Sequence, residues 1–151
     1  MMDKKIIATN RRARYQYHIL DTIEAGLVLQ GTEVKAIREG KVTLTEGYAR
    51  FIGTELYLIN VNIGSYSHTG SYGHPNVRDR KLLVSRRELN KLHKALAIKG
   101  QTLIPLSLYL RRGWIKIELG IGRGKQLHDK RQSVAERESK RQLDRETKTR
   151  I

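Results

Sequence analysis

The sequence predicts a mainly β fold: a small antiparallel β-barrel, closed or partly open, with short flanking helices and a basic C-terminal tail. Three observations predict it. At least six strand-like segments, separated by turn signals, fill roughly the first 120 residues. Only two short stretches carry helical periodicity. From Arg123 to Ile151 there is almost nothing apolar, so this tail has no core to join. Closing the sheet is the simplest way to dispose of exposed strand edges, with a sandwich as the competing topology.

The elements follow in order. Residues 1 to 10 read as a flexible basic leader, ahead of Arg11-Arg12-Ala13-Arg14. Tyr15 to Leu20 alternates as a half-buried strand does. Glu24-Ala25-Gly26 predicts a break, and Leu27-Val28-Leu29 resumes extended structure. Thr32 is the expected cap of a short helix that contains Val34 and Ile37 and ends at Gly40. Gly47 to Ile52 and Glu55 to Ile63 are β-rich, and Gly53-Thr54 between them is short enough for a hairpin turn.

Gly64 to Arg80, rich in Gly, Ser, Tyr and His, is a loop, and its length makes it functional or mobile. Lys81 to Val84 is a short extended segment. Ser85-Arg86-Arg87-Glu88 has capping-box spacing, and Leu89, Leu92, Leu96 and Ile98 then mark a helix that stops at Gly100. Thr102 to Leu110 and Trp114 to Ile121 form a last hairpin across Arg111-Arg112-Gly113. A partly open barrel of the oligonucleotide-binding type, with roughly five or six strands, fits this size. The organisation is a barrel domain over residues 1–122, leader included, and a tail over 123–151.

Charge points to the partner. The chain of 151 residues has a formal charge of +15. The tail from Arg123 holds 10 Lys or Arg against 5 Asp or Glu, which leaves 20 against 10 in the body, so both parts are basic. That pattern names a polyanion, nucleic acid first. An anionic membrane surface is disfavoured by the tail's low aromatic and Leu content. No segment approaches the ~18 apolar residues of a membrane span, and the first ten residues are too weakly apolar for a secretory signal. Cysteine is absent, which excludes disulfides and thiolate metal sites. A cytoplasmic protein is expected.

Acid-before-base pairs at i,i+4 recur along the tail: Glu136–Lys140, Asp144–Lys148 and Glu146–Arg150. Each adds only ~0.2–0.5 kcal/mol. The tail is therefore expected to be disordered when free and helical when bound.

Among candidate contacts, Arg11, Arg12 and Arg14 set three guanidiniums beside Tyr15, groups that pair with phosphate and stack on bases. Lys35 and Arg38 share one face of the expected helix, and Lys41 follows just past Gly40. Glu24 is an acid in basic surroundings, a salt-bridging turn residue or an acceptor for base edges. The run from Gly120 to Lys125 fails as a phosphate-binding loop, because Leu119 holds the place of its first Gly and Gln126 that of its Ser or Thr. It reads as a flexible basic exit from the last strand. The histidines at 18, 68, 74, 93 and 128 show no zinc spacing, and His128 alone lies in a basic stretch where it could stack on a base. No nucleophile motif stands out, so no catalytic residue, cofactor or metal is expected.

The ordered set Asn10-Arg11-Arg12-Ala13-Arg14-Tyr15, Glu24-Ala25-Gly26, Gly31-Thr32-Glu33-Val34-Lys35, Arg38-Glu39-Gly40-Lys41, Arg80-Lys81-Leu82-Leu83, Gly100 to Leu106, and Gly122-Arg123-Gly124-Lys125 leading to His128-Asp129-Lys130-Arg131 resembles the SsrA-binding protein family, also called small protein B. The resemblance runs from about Ile7 to Arg131. It implies a barrel of oligonucleotide-binding type, monomeric when free. It also implies a bacterial cytoplasmic factor that binds the tRNA-like domain of transfer-messenger RNA and delivers it to the empty A site of stalled ribosomes. The tail would enter the small-subunit decoding centre and the vacant message channel. By matching position, Asn10, Arg12, Glu24, Arg38, Leu83 and Lys116 are the implied RNA-facing set. Gly124, Lys125, His128, Asp129, Lys130 and Arg131 form the ribosome-facing tail. Gln126 departs from the family pattern, where many members are basic.

Overall fold

The computed structural model describes residues 4–68, 73–125, 131, 134–138 and 141. Its strands are β1 (Lys4–Thr9), β2 (Tyr17–Leu27), β3 (Val42–Thr43), β4 (Tyr48–Ile52), β5 (Glu55–Ile59), β6 (Asn62–Ile63), β7 (Arg80–Leu83), β8 (Gln101–Arg111) and β9 (Trp114–Gly124). Helices α1 (Ala13–Gln16), α2 (Gly31–Arg38) and α3 (Arg86–Ala97) are interspersed. The main sheet runs β1-β8-β4-β5-β7-β2-β9, and β8 also pairs with β9. That extra pairing closes β8, β4, β5, β7, β2 and β9 into an antiparallel ring, as the sequence predicts. β3 and β6 form a separate small ladder.

Strand β8 explains how a short chain closes such a ring. Along one edge it pairs with β9 from Gln101 to Arg111. On its other edge Leu103 meets Ala49 of β4, and Ser107 to Arg111 meet β1. Residues 103 to 109 are buried on both faces. The inward set with Leu103 and Leu108 joins the main core of Ile37, Leu56, Leu58, Leu92, Ile117 and Leu119. Outside the ring, Ile104 and Leu106 pack with Ala13, Tyr17 and Ile19 in a second apolar cluster under α1. Pro105 sits where the β8–β9 register shifts, a place in a sheet where a residue without an N–H is tolerated.

Several expectations are corrected. Lys4–Thr9 is no loose leader but a strand on β8. Its two leading lysines suit an outer edge, where charge discourages pairing with another chain. The first predicted strand begins two residues later, because Ala13–Gln16 forms a helical turn first. No break occurs at Glu24-Ala25-Gly26: all three are paired with β9 in a continuous strand. Helix α2 starts after Gln30 rather than Thr32, since the Gln30 N–H is capped by Glu33 Oε1 at 2.8 Å. Thr32 instead holds His74, with its Oγ1 2.8 Å from Nδ1. The run from Glu55 to Ile63 divides at Asn60, whose φ of 62° turns the chain toward β6.

The exit at Gly120 to Gly124 is likewise not flexible. It is β-paired with β2 through Gly124 and with β8 through Arg123, so the last strand runs on to Gly124. A Cβ on Gly122 would lie 2.6 Å from Ile104 Cδ1 and 3.1 Å from Tyr17 Cβ; one on Gly120 would lie 2.9 Å from Leu106 Cδ1. These glycines make room for the cluster under α1.

Helix α3 follows its sequence signals, with the Glu88 N–H donating to Ser85 Oγ at 3.2 Å. Both predicted hairpins form. At the second, Arg112 and Gly113 take φ of 52° and 82°, the paired left-handed geometry of a tight turn between twisted strands.

Candidate nucleic-acid interface

The candidate residues fall into three groups, each placed by a different element. The first lies on the outer face of the ring. Gly26 pairs with Leu83 on one side and Lys116 on the other, and Lys116 pairs with Tyr109. Directly opposed residues share a face, so Leu83, Gly26, Lys116 and Tyr109 form one row. Glu24, two residues before Gly26, projects to the same side. Leu83 is half-exposed, the exception in a row flanked by charge.

Glu24 is held from β8. Arg111 Nη1 lies 2.8 Å from its Oε2, and the Tyr109 hydroxyl donates to the same oxygen. Burial, then the hydrogen bond to Glu24 and its charge, hold the Tyr109 phenol protonated well above its ordinary range. Lys4 Nζ stands 4.2 Å from the Tyr109 ring centroid. Glu24 is thus both in a strand and ion-paired, with a partly open carboxylate between basic neighbours. Sequence reasoning missed Tyr109 and Arg111, which reach Glu24 across 85 or more residues of chain.

The second group surrounds α1. Arg11, Arg12 and Arg14 are exposed, while Ala13 anchors the turn to Ile104 and Leu106. Asn10 departs from expectation: it is buried, its Nδ2 donates to the Pro105 carbonyl at 2.9 Å, and its N–H to Leu106 O at 2.8 Å. It positions the arginines by pinning the chain to β8. The root of the tail joins this group. Gly124 pairs with Tyr17, and the Lys125 N–H donates to Gln16 O at 2.9 Å. Residues 131, 134–138 and 141 are helical, with the Arg137 guanidinium 5.5 Å from the Tyr15 ring. Arg131 is exposed; His128, Asp129 and Lys130 lie outside the described residues.

The third group is carried by α2. Lys35 and Arg38 are exposed on the helix, with Lys35 Nζ 5.3 Å from the Tyr66 ring. Lys41 is a brace rather than an open contact, donating to Ser65 O at 3.2 Å and lying 3.3 Å from Glu39. Beneath α2 the loop from 64 to 79 is fixed at its ends. Buried His74 directs Nε2 at the carbonyls of Ile63 and Gly64, 3.0 and 2.9 Å away. Arg80, fully buried, donates to Glu33, Val61, Pro75, Asn76 and Arg78.

A division among the cations follows. Arg78, Arg80, Lys81, Lys91 and Arg111 are committed to carboxylates of the fold. Among the described residues Arg11, Arg12, Arg14, Arg38 and Lys116 form no ion pair, and all are at least partly open to water. Charge left unpaired on a stable barrel is charge available to phosphate.

Residues 7–149 match the family model described as SmpB protein. The chain belongs to the SmpB family. An SsrA-binding protein of Thermosynechococcus vestitus is 51% identical over 147 residues, covering 97% of each chain. One from Anaeromyxobacter sp. strain Fw109-5 is 50% identical over 143 residues, covering 95% of this chain and 87% of its own. A solved SmpB-type chain, from work described as "tmRNA-SmpB: a journey to the center of the bacterial ribosome", superposes with a TM-score of 0.68 at 44% identity. That match covers 84% of this chain and 93% of the other. The family assignment and the closed ring agree with the oligonucleotide-binding barrel that the sequence implies.

Proposed function

We propose that this protein is the RNA-binding partner of transfer-messenger RNA in the rescue of stalled ribosomes. The observation that carries the function is identity near 50% over nearly the whole chain to SsrA-binding proteins. The protein acts by binding, not by catalysis. Its partners are transfer-messenger RNA and the ribosome, and its place of action is the cytoplasm.

The division of labour among residues is our own reading of the surface. The outer row with Glu24, Leu83 and Lys116, together with Arg11, Arg12, Arg14 and Arg38, faces the tRNA-like domain. Folded RNA of that kind is recognised by shape, by stacking and through its 2′-hydroxyls, which suits open cations around one acceptor carboxylate and one apolar side chain. The tail beyond Gly124 faces the decoding centre and message channel. Its root beside α1 supports this, because RNA-facing arginines and the tail then leave the barrel from neighbouring points.

Sequencing the RNA that co-purifies with the protein from cells tests the function. Strong enrichment of transfer-messenger RNA, with ribosomes recovered mainly when stalled, is expected. Equal recovery with all ribosomes and no such enrichment would make it a constitutive ribosomal component instead.

A further inference from the structure

The chain's one tryptophan faces water. Trp114 is 73% exposed, at the start of β9 in the tip of the last hairpin. The fold does not ask for an indole there. The turn is set by Arg112 and Gly113, whose left-handed φ angles close the hairpin, and Trp114 contributes no side chain to either apolar cluster. A large apolar surface left in solvent is informative where nothing in the fold covers it.

Its setting narrows the partner. Alternation along β9 sends Ile115 and Ile117 inward and keeps Trp114 on the outer face with Lys116. Trp114 therefore stands beside the Leu83–Gly26–Lys116 row on the same face, one step along β9 from Lys116 at the hairpin end. Its cross-strand partner is Arg111, which in turn pairs with Lys4. Arg112 at the tip is exposed and, among the described residues, unpaired. An apolar protein partner would need a contiguous apolar patch, and here the indole's neighbours along and across the strands are Arg111, Arg112 and Lys116. Flat aromatic surface beside positive charge is the chemistry that takes an unstacked base and its phosphates.

We propose that Trp114 is a stacking platform for an unpaired base of the bound RNA, with Arg112 and Lys116 beside the flanking phosphates. The proposal rests on the outer row being the RNA face. Because the tryptophan is single, its emission reports on this site alone.

The test titrates full-length protein with a dye-labelled transcript of the tRNA-like domain, reading dye anisotropy and tryptophan emission together. Emission should fall with the same midpoint as the anisotropy rise. Trp114→Phe should keep most of the affinity. Trp114→Ala and Trp114→Leu should each lose roughly tenfold, since stacking needs a ring and not merely apolar area. The slope of log K against log salt should not change in any of them, because no charge is removed. Anisotropy that rises while emission stays constant would overturn the platform and leave the RNA face standing, as would a Leu variant equal to Phe. No anisotropy change at all would remove both.

Discussion

Arg80 Nε lies 2.6 Å from Glu33 Oε2, and both side chains are wholly buried. Neither charge reaches water, so each depends on the other and on a full set of hydrogen bonds. Glu33 also receives the Gln30 N–H and Arg78, while Arg80 satisfies the carbonyl of Val61 before β6 and that of Asn76 on the loop that precedes it. Removing one partner strands a buried charge, at about 3–5 kcal/mol. Glu33→Ala should therefore lower the urea midpoint drastically or prevent folding. The double replacement Glu33→Leu with Arg80→Met should recover part of the loss, because neither buried charge is then stranded, while Arg78 and the carbonyls that Arg80 held still lose their partner. Additive losses in the double variant would mean that the pair is not the source of the effect.

The same carboxylate should shape the acid limb of stability. Burial raises the Glu33 pKa, but hydrogen bonds from Arg78, Gln30 and Arg80 and the charge of Arg80 outweigh it, so the folded value lies below the ordinary one. A depressed folded value stabilises the protein above the unfolded value and ceases to do so as pH falls through the folded one. Melting curves of the parent and Glu33→Gln should differ most near neutrality, and the gap should close as pH falls below the ordinary glutamate range and through the depressed folded value. A gap that stays constant across that range would contradict the assignment.

Two glycines of β9 should behave oppositely. Gly122→Ala drives a Cβ against Ile104 and Tyr17 and should cost about 1–3 kcal/mol by overpacking. Gly124→Ala meets nothing within 4 Å and should change stability by less than about 0.5 kcal/mol. Differential scanning calorimetry of the two proteins decides it; equal melting temperatures would show that the space under α1 is not limiting.

Salt dependence reads the open cations. The slope of log K against log salt grows with each phosphate neutralised, by roughly 0.7 to 0.9 per contact. Arg12→Ala and Arg38→Ala should each make the slope shallower by about that amount. Arg78→Ala, which removes a cation committed to Glu33, should leave the slope alone while lowering stability. Slopes unmoved by Arg12 and Arg38 together would place the RNA on another face.

Changing Asp129, Lys130 and Arg131 together to Ala should abolish peptide tagging on stalled ribosomes while leaving affinity for the isolated tRNA-like domain unchanged. Parallel loss of both would assign the tail to the RNA-binding surface.

What was legible in the sequence was local. Ser85 and Glu88 sit three apart and mark α3 without help from the rest of the chain. Gly53 and Gly113, both at positive φ, likewise mark their turns locally. Lys4–Thr9 gave no such signal, because its strand character comes from β8, about a hundred residues away. The misplaced break at Gly26 has the same origin: a turn-forming dipeptide is held extended by partners on both sides. In the candidate site, isolated cations could be picked out by type, but not sorted into open and committed ones. That Arg80 is structural and Arg38 open depends on Glu33, 47 residues from the former. The row uniting Leu83 with Lys116 exists only once β7 and β9 pair with the two edges of β2.

The last strand has a mechanical consequence. β9 is hydrogen-bonded along β2 on one edge and β8 on the other, and its final residues lead straight into the tail. A pull on the tail thus acts along a strand gripped from both sides. The ladders bear that load in shear, many bonds at once, rather than opening one after another as a peeled edge strand would. That is the load that the proposed placement of the tail in the message channel would put on the barrel.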